Sequence, residues 1–230
     1  MDNTFAKRLI NARKMRCISQ RDLCRMVEGK VSPTAIAKYE KGLMMPSSDV
    51  LVVLSQALNM KLDYFFRPFT VAIDSSKFEF RKSSSMGAKK VEAVKCLVCS
   101  EIEKYVEIES ILGSSPAMSL DYSNTLVETD GEAILMALRF RRDMNIGLDA
   151  IASVVELLES AGVKIIEIDH DRSFSGTCNK AGGMPVIVIN RNMPSERKRI
   201  TILHELGHLL MHCAEGVDKE KMCTVFANEV

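Results

Sequence analysis

Three of the four histidines in this chain lie close together, at His204, His208 and His212. The first two form the pattern His-Glu-x-x-His, with Glu205 beside His204. Residues four apart lie one above the other on a helix, so the imidazoles of His204 and His208 can reach one point. Zinc accepts such a pair of nitrogen ligands, and Glu205 is placed to act as general base for a water molecule. The spacing therefore predicts a zinc site of metallopeptidase type.

The simpler interpretation of one histidine on a leucine-rich helix is a packed core residue. Two histidines at this spacing with a glutamate between them favour chemistry instead, because an unpaired carboxylate is costly to bury. Gly207 supports the same interpretation. Glycine costs about 1 kcal/mol inside a helix relative to alanine, so its presence predicts that another segment closely approaches the backbone there.

Size and composition limit the class of protein. The 230 residues have room for one large or two small domains, and 47% hydrophobic with 27% charged residues is typical of globular proteins. No apolar run approaches the length of a membrane span, and the N-terminal residues lack the pattern of a secretory signal. Seven irregularly spaced cysteines indicate reduced thiols. We therefore expect a cytoplasmic protein without a membrane partner.

Charge is distributed unevenly along the chain. Residues 1–70 contain 12 lysines and arginines against 6 acidic residues, whereas the remainder contains 19 against 24. A basic first part joined to an acidic second part predicts that the first part binds an anionic polymer such as nucleic acid.

The basic first part has the pattern of five short helices. A capping-box-like start at Ser19 begins the second helix, and the pair Ser32-Pro33 begins the third. Gly29 supplies the turn between them. This order predicts an all-α helix-turn-helix domain. A structural helical bundle is the alternative, which the charge and the turn pattern disfavour.

These residues resemble the Cro/XRE-type family of repressor DNA-binding domains over about residues 5–67. The resemblance implies that the third helix enters the major groove of a double-stranded DNA operator and that the protein binds as a homodimer. The residues carried over by position are Thr34, Ala35 and Lys38 against base edges, and Gln20 and Ser32 against phosphates. Lys38 can either read guanine acceptors or neutralise a phosphate.

The pattern then changes before the acidic second part begins. Residues 70–80 alternate apolar and polar positions as a hairpin does, and residues 81–87 are polar and rich in serine, as flexible linkers are. One long helix is predicted over Ala88–Leu112. The predicted organisation is a helix-turn-helix domain at 1–69, a hairpin and linker at 70–88, and a second domain at 89–230.

The second domain mixes helical and strand patterns, which is typical of the α+β class. The helix that carries the His-Glu-x-x-His motif opens at Pro194. Our assignments before it are helices at residues 131–143 and 148–161, strands at 163–168 and 185–190, and loops at 114–130 and 170–183.

Three features of this domain resemble the ImmA/IrrE-type zinc metallopeptidases over roughly residues 120–230. They are the strand pair, the run Glu196-Arg-x-Arg-x-Thr-x-x-His-Glu-Leu-Gly-His-Leu-x-x-His, and a distal Glu-x-x-Cys-x-x-Phe-Ala that begins at Glu220. The resemblance implies a zincin-like fold, for which fusion to a helix-turn-helix is a known pairing. At Thr224 the chain departs from the asparagine that the family tends to carry beside the ligands. The family also continues beyond the position of Val230, so we interpret the domain as C-terminally truncated.

A third metal ligand is required, because catalytic zinc sites usually combine three protein ligands with one position for water. On a continuous helix His212 lies about 12 Å from His204, too far to share one metal. Glu215, Glu220 and Glu229 remain. By resemblance, the ligand carboxylate precedes the Phe-Ala pair on the following helix, which favours Glu220.

These features predict a DNA-binding transcriptional regulator with a zinc-dependent endopeptidase domain. Zn²⁺ on His204, His208 and Glu220 would activate water, and Glu205 would take its proton and pass it to the leaving amine. By resemblance, the substrate is a repressor of the helix-turn-helix type, cut to relieve repression. The fusion adds a second option, which is cleavage of the chain's own linker.

Two alternatives remain open at this stage. One is a non-proteolytic transcription factor whose zinc domain acts as a sensor or protein-interaction module. The other is a structural zinc site, in which Cys213 or Cys223 completes a shell of four protein ligands. Counting the ligands and testing for proteolysis would separate the three hypotheses.

Overall fold

A computed structural model describes residues 3–70, 87–113, 120, 122, 125–171, 173–181 and 183–230. Contacts divide them into two units, one formed by the residues up to 70 with Gly87–Glu103 and the other by Lys104–Val230. The predicted hairpin and linker fall almost wholly outside the described residues, so the predicted domain limits stay predictions. None of the described helices is long and apolar enough to cross a membrane.

The first unit begins with the five short helices that the sequence predicts. They enclose a core that includes Leu9, Leu23 and Ile36, all fully buried. The helices are α1 (Thr4–Met15), α2 (Gln20–Met26), α3 (Pro33–Glu40), α4 (Ser48–Leu58) and a 3-10 helix (Leu62–Phe65).

Local caps fix where α2 and α3 begin. The Ser19 hydroxyl accepts a hydrogen bond from the backbone N–H of Asp22, and the Asp22 carboxylate accepts one from the backbone N–H of Ser19. This reciprocal pair is a capping box. Ser32 accepts the N–H of Ala35 and is followed by Pro33 as the first helical residue. The predicted helix-turn-helix pattern is therefore confirmed at the level of its caps.

The helix α5 (Ala88–Leu112) has the bounds that the sequence predicts, and its part up to Glu103 belongs to the first unit. Arg8 is only 2% exposed. Its guanidinium donates to the Glu103 carboxylate at 2.6 Å and to the carbonyl oxygens of Arg67 and Pro68 at 2.9 and 2.8 Å. A buried charge requires such partners, so Arg8 joins α1 to α5.

The second unit combines helices with two small sheets, which confirms the predicted α+β class. Its elements after α5 are β1 (Leu126–Val127), α6 (Asp130–Asp143), α7 (Val154–Ser160), β2 (Lys164–Ile168), β3 (Gly176–Ala181), β4 (Met184–Asn190), α8 (Ser195–Leu210), β5 (His212–Cys213) and α9 (Lys219–Glu229).

The larger sheet has the strand order β2-β4-β3, with β2 parallel and β3 antiparallel to β4. The strands β1 and β5 form a separate parallel pair of two residues each. The helix α8 packs against α9, β3 and β4. The buried side chains of the core include Phe140, Leu158, Ile187, Ile189, Ile202, Leu206 and Phe226.

The assignment of residues 170–183 to a loop is wrong, because this segment contains β3. Its sequence Gly-Thr-Cys-Asn-Lys-Ala has no apolar alternation, which is the signal by which a strand is recognised from sequence. The strand forms through pairing with β4, extended by a hydrogen bond from the Asn190 N–H to the Ser175 carbonyl at 2.9 Å. Tertiary pairing thus overrides a weak local preference.

The helix predicted at 148–161 starts later, at Val154. Gly147 has a φ of +59°, and the guanidinium of Arg141 donates to the carbonyl oxygens of Gly147 and Asp149. These contacts hold the first residues of the predicted segment, near Gly147 and Asp149, in a non-helical conformation. Ser153 then caps α7 by accepting the N–H of Glu156 at 3.2 Å.

The motif helix ends before His212, contrary to the continuous helix assumed in the sequence argument. Its last residue is Leu210, and Met211 has the extended angles φ −89° and ψ 136°. His212 lies in β5 and pairs with Leu126 of β1. The assignment of 114–130 to a loop is therefore also wrong at β1, whose two residues were too few to show a pattern.

Candidate functional site

The helix α8 brings the two motif histidines together. His204 and His208 lie one turn apart, and their Nε2 atoms are 3.2 Å from each other. His204 is 6% exposed, and His208 is half-buried. The helix therefore presents two nitrogen donors at one point, as the spacing predicts.

The helix α9 brings a carboxylate to the same point. Asp218 caps this helix by accepting the N–H of Lys221 at 3.1 Å, which places Glu220 in the first turn. The Glu220 Oε2 atom lies 3.4 Å from Nε2 of His204, and its Oε1 atom lies 3.2 Å from Nε2 of His208. Glu220 therefore faces both histidines, the position that a third ligand requires.

The other residues considered as a third ligand lie elsewhere. Glu215 is in the turn before α9, and Glu229 is the last residue of α9. In the described part of the chain, neither carboxylate forms an ion pair with His204 or His208. His212 is exposed in β5, beyond the end of the motif helix.

The spacing of the three donor side chains fits a tetrahedral metal. Zinc binds histidine nitrogen and carboxylate oxygen at about 2.0–2.2 Å, so two ligand atoms on a tetrahedron lie about 3.3–3.6 Å apart. The two Nε2 atoms are 3.2 Å apart, and two different oxygens of Glu220 lie 3.4 Å from His204 and 3.2 Å from His208, so the three side chains converge at close to this spacing. Two imidazoles and a carboxylate are also the donor types that catalytic zinc uses, so the residues present fit Zn²⁺.

Glu205 is buried between α8 and β3, at 3% exposure. A Cβ at Gly176 would lie 2.7 Å from Cγ2 of Thr201 and 3.5 Å from Cγ of Glu205, so only glycine lets β3 approach α8 this closely. Burial, together with the charge of Glu205 and a hydrogen bond to it, raises the pKa of the Cys178 thiol well above its ordinary value. Sequence reasoning missed Gly176 and Cys178 because both lie in the segment assigned to a loop.

Cys223 is a further donor beside the histidines. Its thiol is fully buried, and the ligand atoms of Cys223, His204 and His208 lie within 4.8 Å of one another. Burial raises the pKa of this thiol to about 12 in the metal-free protein, and binding to a metal would release its proton. Cys213 is not part of this group among the described residues. The Glu220 carboxylate and the Cys223 thiol are therefore the two candidates for the third ligand that the structure brings to the histidines.

Gly207 explains how α9 comes so near to the histidines. A Cβ at Gly207 would lie 3.3 Å from both Cα and Cβ of Cys223 and 3.2 Å from Cε of Met211. The absence of a side chain lets the backbone of α9 pack directly on α8. The close approach expected from a glycine in the motif helix is therefore found, and the approaching segment is the one that carries Glu220.

The residues expected to contact DNA cluster around α3. Thr34 and Lys38 are exposed and lie one turn apart on α3, whereas Ala35 is half-buried against the core. The Ser32 oxygen accepts the N–H of Ala35 at 3.1 Å, which leaves its own O–H to donate. Gln20 is the first residue of α2. The structure thus places Thr34 and Lys38 on one open helix face.

A mostly buried carboxylate holds Gln20 in position. The Gln20 amide donates to Glu40 at 2.7 Å, and the guanidinium of Arg13 donates to the same carboxylate at 2.6 and 2.9 Å. Because Arg13 lies on α1, Gln20 on α2 and Glu40 on α3, this network fixes the three helices relative to each other. Paired forks of this kind are strong and directional.

Comparison with known families confirms both resemblances. Residues 9–65 match the family model described as helix-turn-helix, and residues 158–228 match a peptidase family model described as the IrrE N-terminal-like domain. The second match includes β2, β3, β4, both histidines of the motif and Glu220. No curated protein and no solved structure matches the chain significantly.

Gly207→Val tests the packing that brings α9 to the histidines. The added methyl groups would displace α9, since even a Cβ is already in tight contact with Cys223. We expect a loss of about 1–3 kcal/mol in the free energy of unfolding, typical of an overpacked core, together with weaker zinc binding. Denaturant unfolding and chelator competition measure the two effects.

The matched control for this variant is Ile200→Val, at a half-exposed position on the same helix. It introduces the same side chain without a clash, so it should leave both quantities close to wild type. Full zinc affinity in Gly207→Val would contradict the importance of this contact.

Proposed function

We propose that the protein is a DNA-binding transcriptional regulator whose second unit is a zinc-dependent endopeptidase. The observation that carries this proposal is the convergence of His204, His208 and Glu220, whose imidazole Nε2 atoms and carboxylate oxygens lie 3.2 to 3.4 Å from one another and are donor types that zinc accepts. The match of residues 158–228 to a peptidase family supports it. The match of residues 9–65 to the helix-turn-helix family supports the DNA-binding part.

The residues would divide the work of peptide hydrolysis. His204, His208 and Glu220 would hold Zn²⁺, which when bound supplies a Lewis acid that makes water a stronger acid and polarises a carbonyl group. Glu205, which follows His204 on α8 and is 3% exposed, would take a proton from the attacking water and deliver it to the amine of the departing peptide.

The strand β3 offers a place for the substrate chain. The carbonyl oxygen of Ser175 accepts the N–H of Asn190, so the backbone of Ser175 faces β4. In an antiparallel ladder, successive residues of a strand point their backbone groups alternately toward the partner strand and away from it. The backbone groups of Gly176 and Cys178 therefore point to the other edge, which pairs with no strand among the described residues. An extended peptide can add to such an edge as a further strand. Since Gly176 also borders Glu205, the scissile bond would lie near this glycine.

The substrate we propose is a protein, either a repressor of the helix-turn-helix type or the chain's own linker at residues 81–87. Cleavage of a repressor would remove its DNA-binding function and relieve repression. A cut in the chain's own linker would leave the helix-turn-helix held to α5 through Arg8 and Glu103, so it would alter the regulator without releasing its DNA-binding part. The protein itself would act as a cytoplasmic homodimer on a double-stranded operator, because one recognition helix contacts too few base pairs to select a site.

A second candidate is a non-proteolytic regulator in which the metal is structural. The observation that favours it is the buried thiol of Cys223 near both histidines. With Glu220 and Cys223 both bound, four protein ligands would close the shell and leave no position for water. Such a protein would show zinc-dependent DNA binding and no cleavage.

Glu205→Gln tests the proposed catalytic base. The variant keeps the shape of the side chain but cannot accept the proton, so cleavage should fall by about 10²–10⁴-fold while zinc and DNA binding persist. Purified variant and wild type are incubated with helix-turn-helix repressors, with and without a chelator, and fragments are identified by mass spectrometry. Glu215→Gln is the control and should cleave as wild type does. Cleavage at the normal rate by Glu205→Gln would show that another group is the base.

Glu220→Gln and Cys223→Ser separate the two candidate metal sites. If Glu220 is the third ligand, its replacement should weaken zinc binding by more than the roughly 10–100-fold that loss of an outer-shell partner costs. Cys223→Ser should then leave the affinity close to wild type. Glu229→Gln on the same helix is the control. A thiolate-to-metal absorption band in the cobalt-loaded protein, lost in Cys223→Ser, would instead support the closed structural site.

Lys38→Ala tests the proposed DNA face with non-specific duplex DNA as the probe. Loss of one phosphate contact should lower the slope of log affinity against log salt by about 0.9. Lys61→Ala removes the same charge from the exposed start of the 3-10 helix and should leave the slope unchanged. Equal effects of the two variants would mean that only net charge matters and that α3 is not the contact surface.

A further inference from the structure

The hydroxyl of Thr224 contacts both the backbone of Glu220 and the ring of His204. Thr224 is on α9, one turn after Glu220. Its Oγ1 atom is 2.9 Å from the backbone carbonyl oxygen of Glu220 and 3.3 Å from Nδ1 of His204. A threonine in a helix commonly bonds the carbonyl four residues earlier, so the first contact fixes the direction of the hydroxyl.

The number of hydrogens available decides the roles in this chain of contacts. A hydroxyl has one hydrogen, and a carbonyl oxygen can only accept. The Thr224 hydroxyl therefore donates its hydrogen to the backbone carbonyl oxygen of Glu220. In the contact with His204, the hydroxyl oxygen can only accept a hydrogen bond. The hydrogen in that second contact must come from Nδ1 of the imidazole. A neutral imidazole with its hydrogen on Nδ1 carries its lone pair on Nε2.

The lone pair placed in this way points to the donor cluster. The Nε2 atom of His204 is the one that lies 3.2 Å from His208 and 3.4 Å from Glu220. In the other neutral tautomer, Nε2 would carry a hydrogen and donate it to the Glu220 carboxylate. In that arrangement, Nε2 of His204 and an oxygen of Glu220 would bond to each other, and Nε2 would have no lone pair for a metal. The contact with Thr224 favours the tautomer in which both remain available to a metal.

We propose that Thr224 is a positioning residue that holds His204 in its metal-binding tautomer and orientation. Glu220 then has two functions. Its carboxylate would bind the metal, and its backbone carbonyl accepts the Thr224 hydroxyl, which in turn orients His204. This inference rests on the proposed metal site. A hydrogen bond to the second nitrogen of a ligating histidine is a general way to fix its tautomer and increase its basicity.

The test uses Thr224→Val and Thr224→Ser in the full-length protein. Valine keeps the branched shape and removes the hydroxyl, whereas serine keeps the hydroxyl. The first readout is the His204 tautomer in zinc-free protein, from long-range ¹H–¹⁵N correlations assigned with a His204→Gln variant. The second is zinc affinity by competition with a chromophoric chelator.

Wild type and Thr224→Ser should show His204 protonated at Nδ1 and should bind zinc with similar affinity. In Thr224→Val the Nδ1–H tautomer should lose population, and zinc should bind roughly 10–100-fold more weakly. A purely structural role for Thr224 would not move the tautomer in a folded variant, and circular dichroism verifies folding.

The outcomes separate this inference from the proposed function. If wild type fails to bind zinc, the proposed metal site is wrong. The tautomer measurement in zinc-free protein still tests whether Thr224 fixes the protonated nitrogen of His204. If wild type binds zinc and Thr224→Val matches it in both affinity and tautomer, the role assigned to Thr224 is overturned and the metal site remains.

Discussion

The close packing of α9 on α8 at Gly207 is the constraint on which the candidate site depends. Two histidines on one helix supply only two donors, and the carboxylate that faces them belongs to a different helix. A Cβ at Gly207 would press on the backbone of Cys223, and Glu220 lies one turn before that residue. The chain between the two helices is also fixed, because β5 pairs with β1 and the Ala214 N–H bonds to the Val127 carbonyl at 3.2 Å. Packing and pairing together therefore place a side chain that chemistry then uses.

Buried carboxylates organise the first unit. Glu40 joins α1, α2 and α3 through Arg13 and Gln20, and Glu103 joins α1 to α5 through Arg8. Arg13 shares two hydrogen bonds with Glu40, and Arg8 shares one with Glu103. Because these charges are largely removed from water, the loss of either partner would leave a buried charge uncompensated. In the second unit the corresponding buried acid is Glu205, which borders the α-carbon of Gly176 and the thiol of Cys178. The same side-chain chemistry thus has a structural role in one unit and a proposed catalytic role in the other.

Local signals in the sequence predicted those parts of the fold that local chemistry determines. The caps at Ser19 and Ser32 predicted α2 and α3, and helical spacing predicted α5 with its observed ends. The strand β3 could not be predicted in this way, because its polar residues become a strand only by pairing with β4. Within the site, spacing alone predicted the histidine pair. Glu220 needed a family resemblance, and the contact between Gly176 and Glu205 could only come from the tertiary structure, since no spacing rule relates β3 to α8.

The pairing of Arg8 with Glu103 has a consequence for how this protein can be divided. A fragment ending at residue 69 would lack α5. It would therefore leave the buried guanidinium of Arg8, a residue that is 2% exposed, without the carboxylate of Glu103. A soluble DNA-binding fragment should therefore extend through Glu103. By the same logic, a nick between residues 70 and 87 would not detach the helix-turn-helix from α5. The polypeptide after the nick begins with helix residues that remain bound to it, so the two pieces would separate on a denaturing gel and migrate together in a native one.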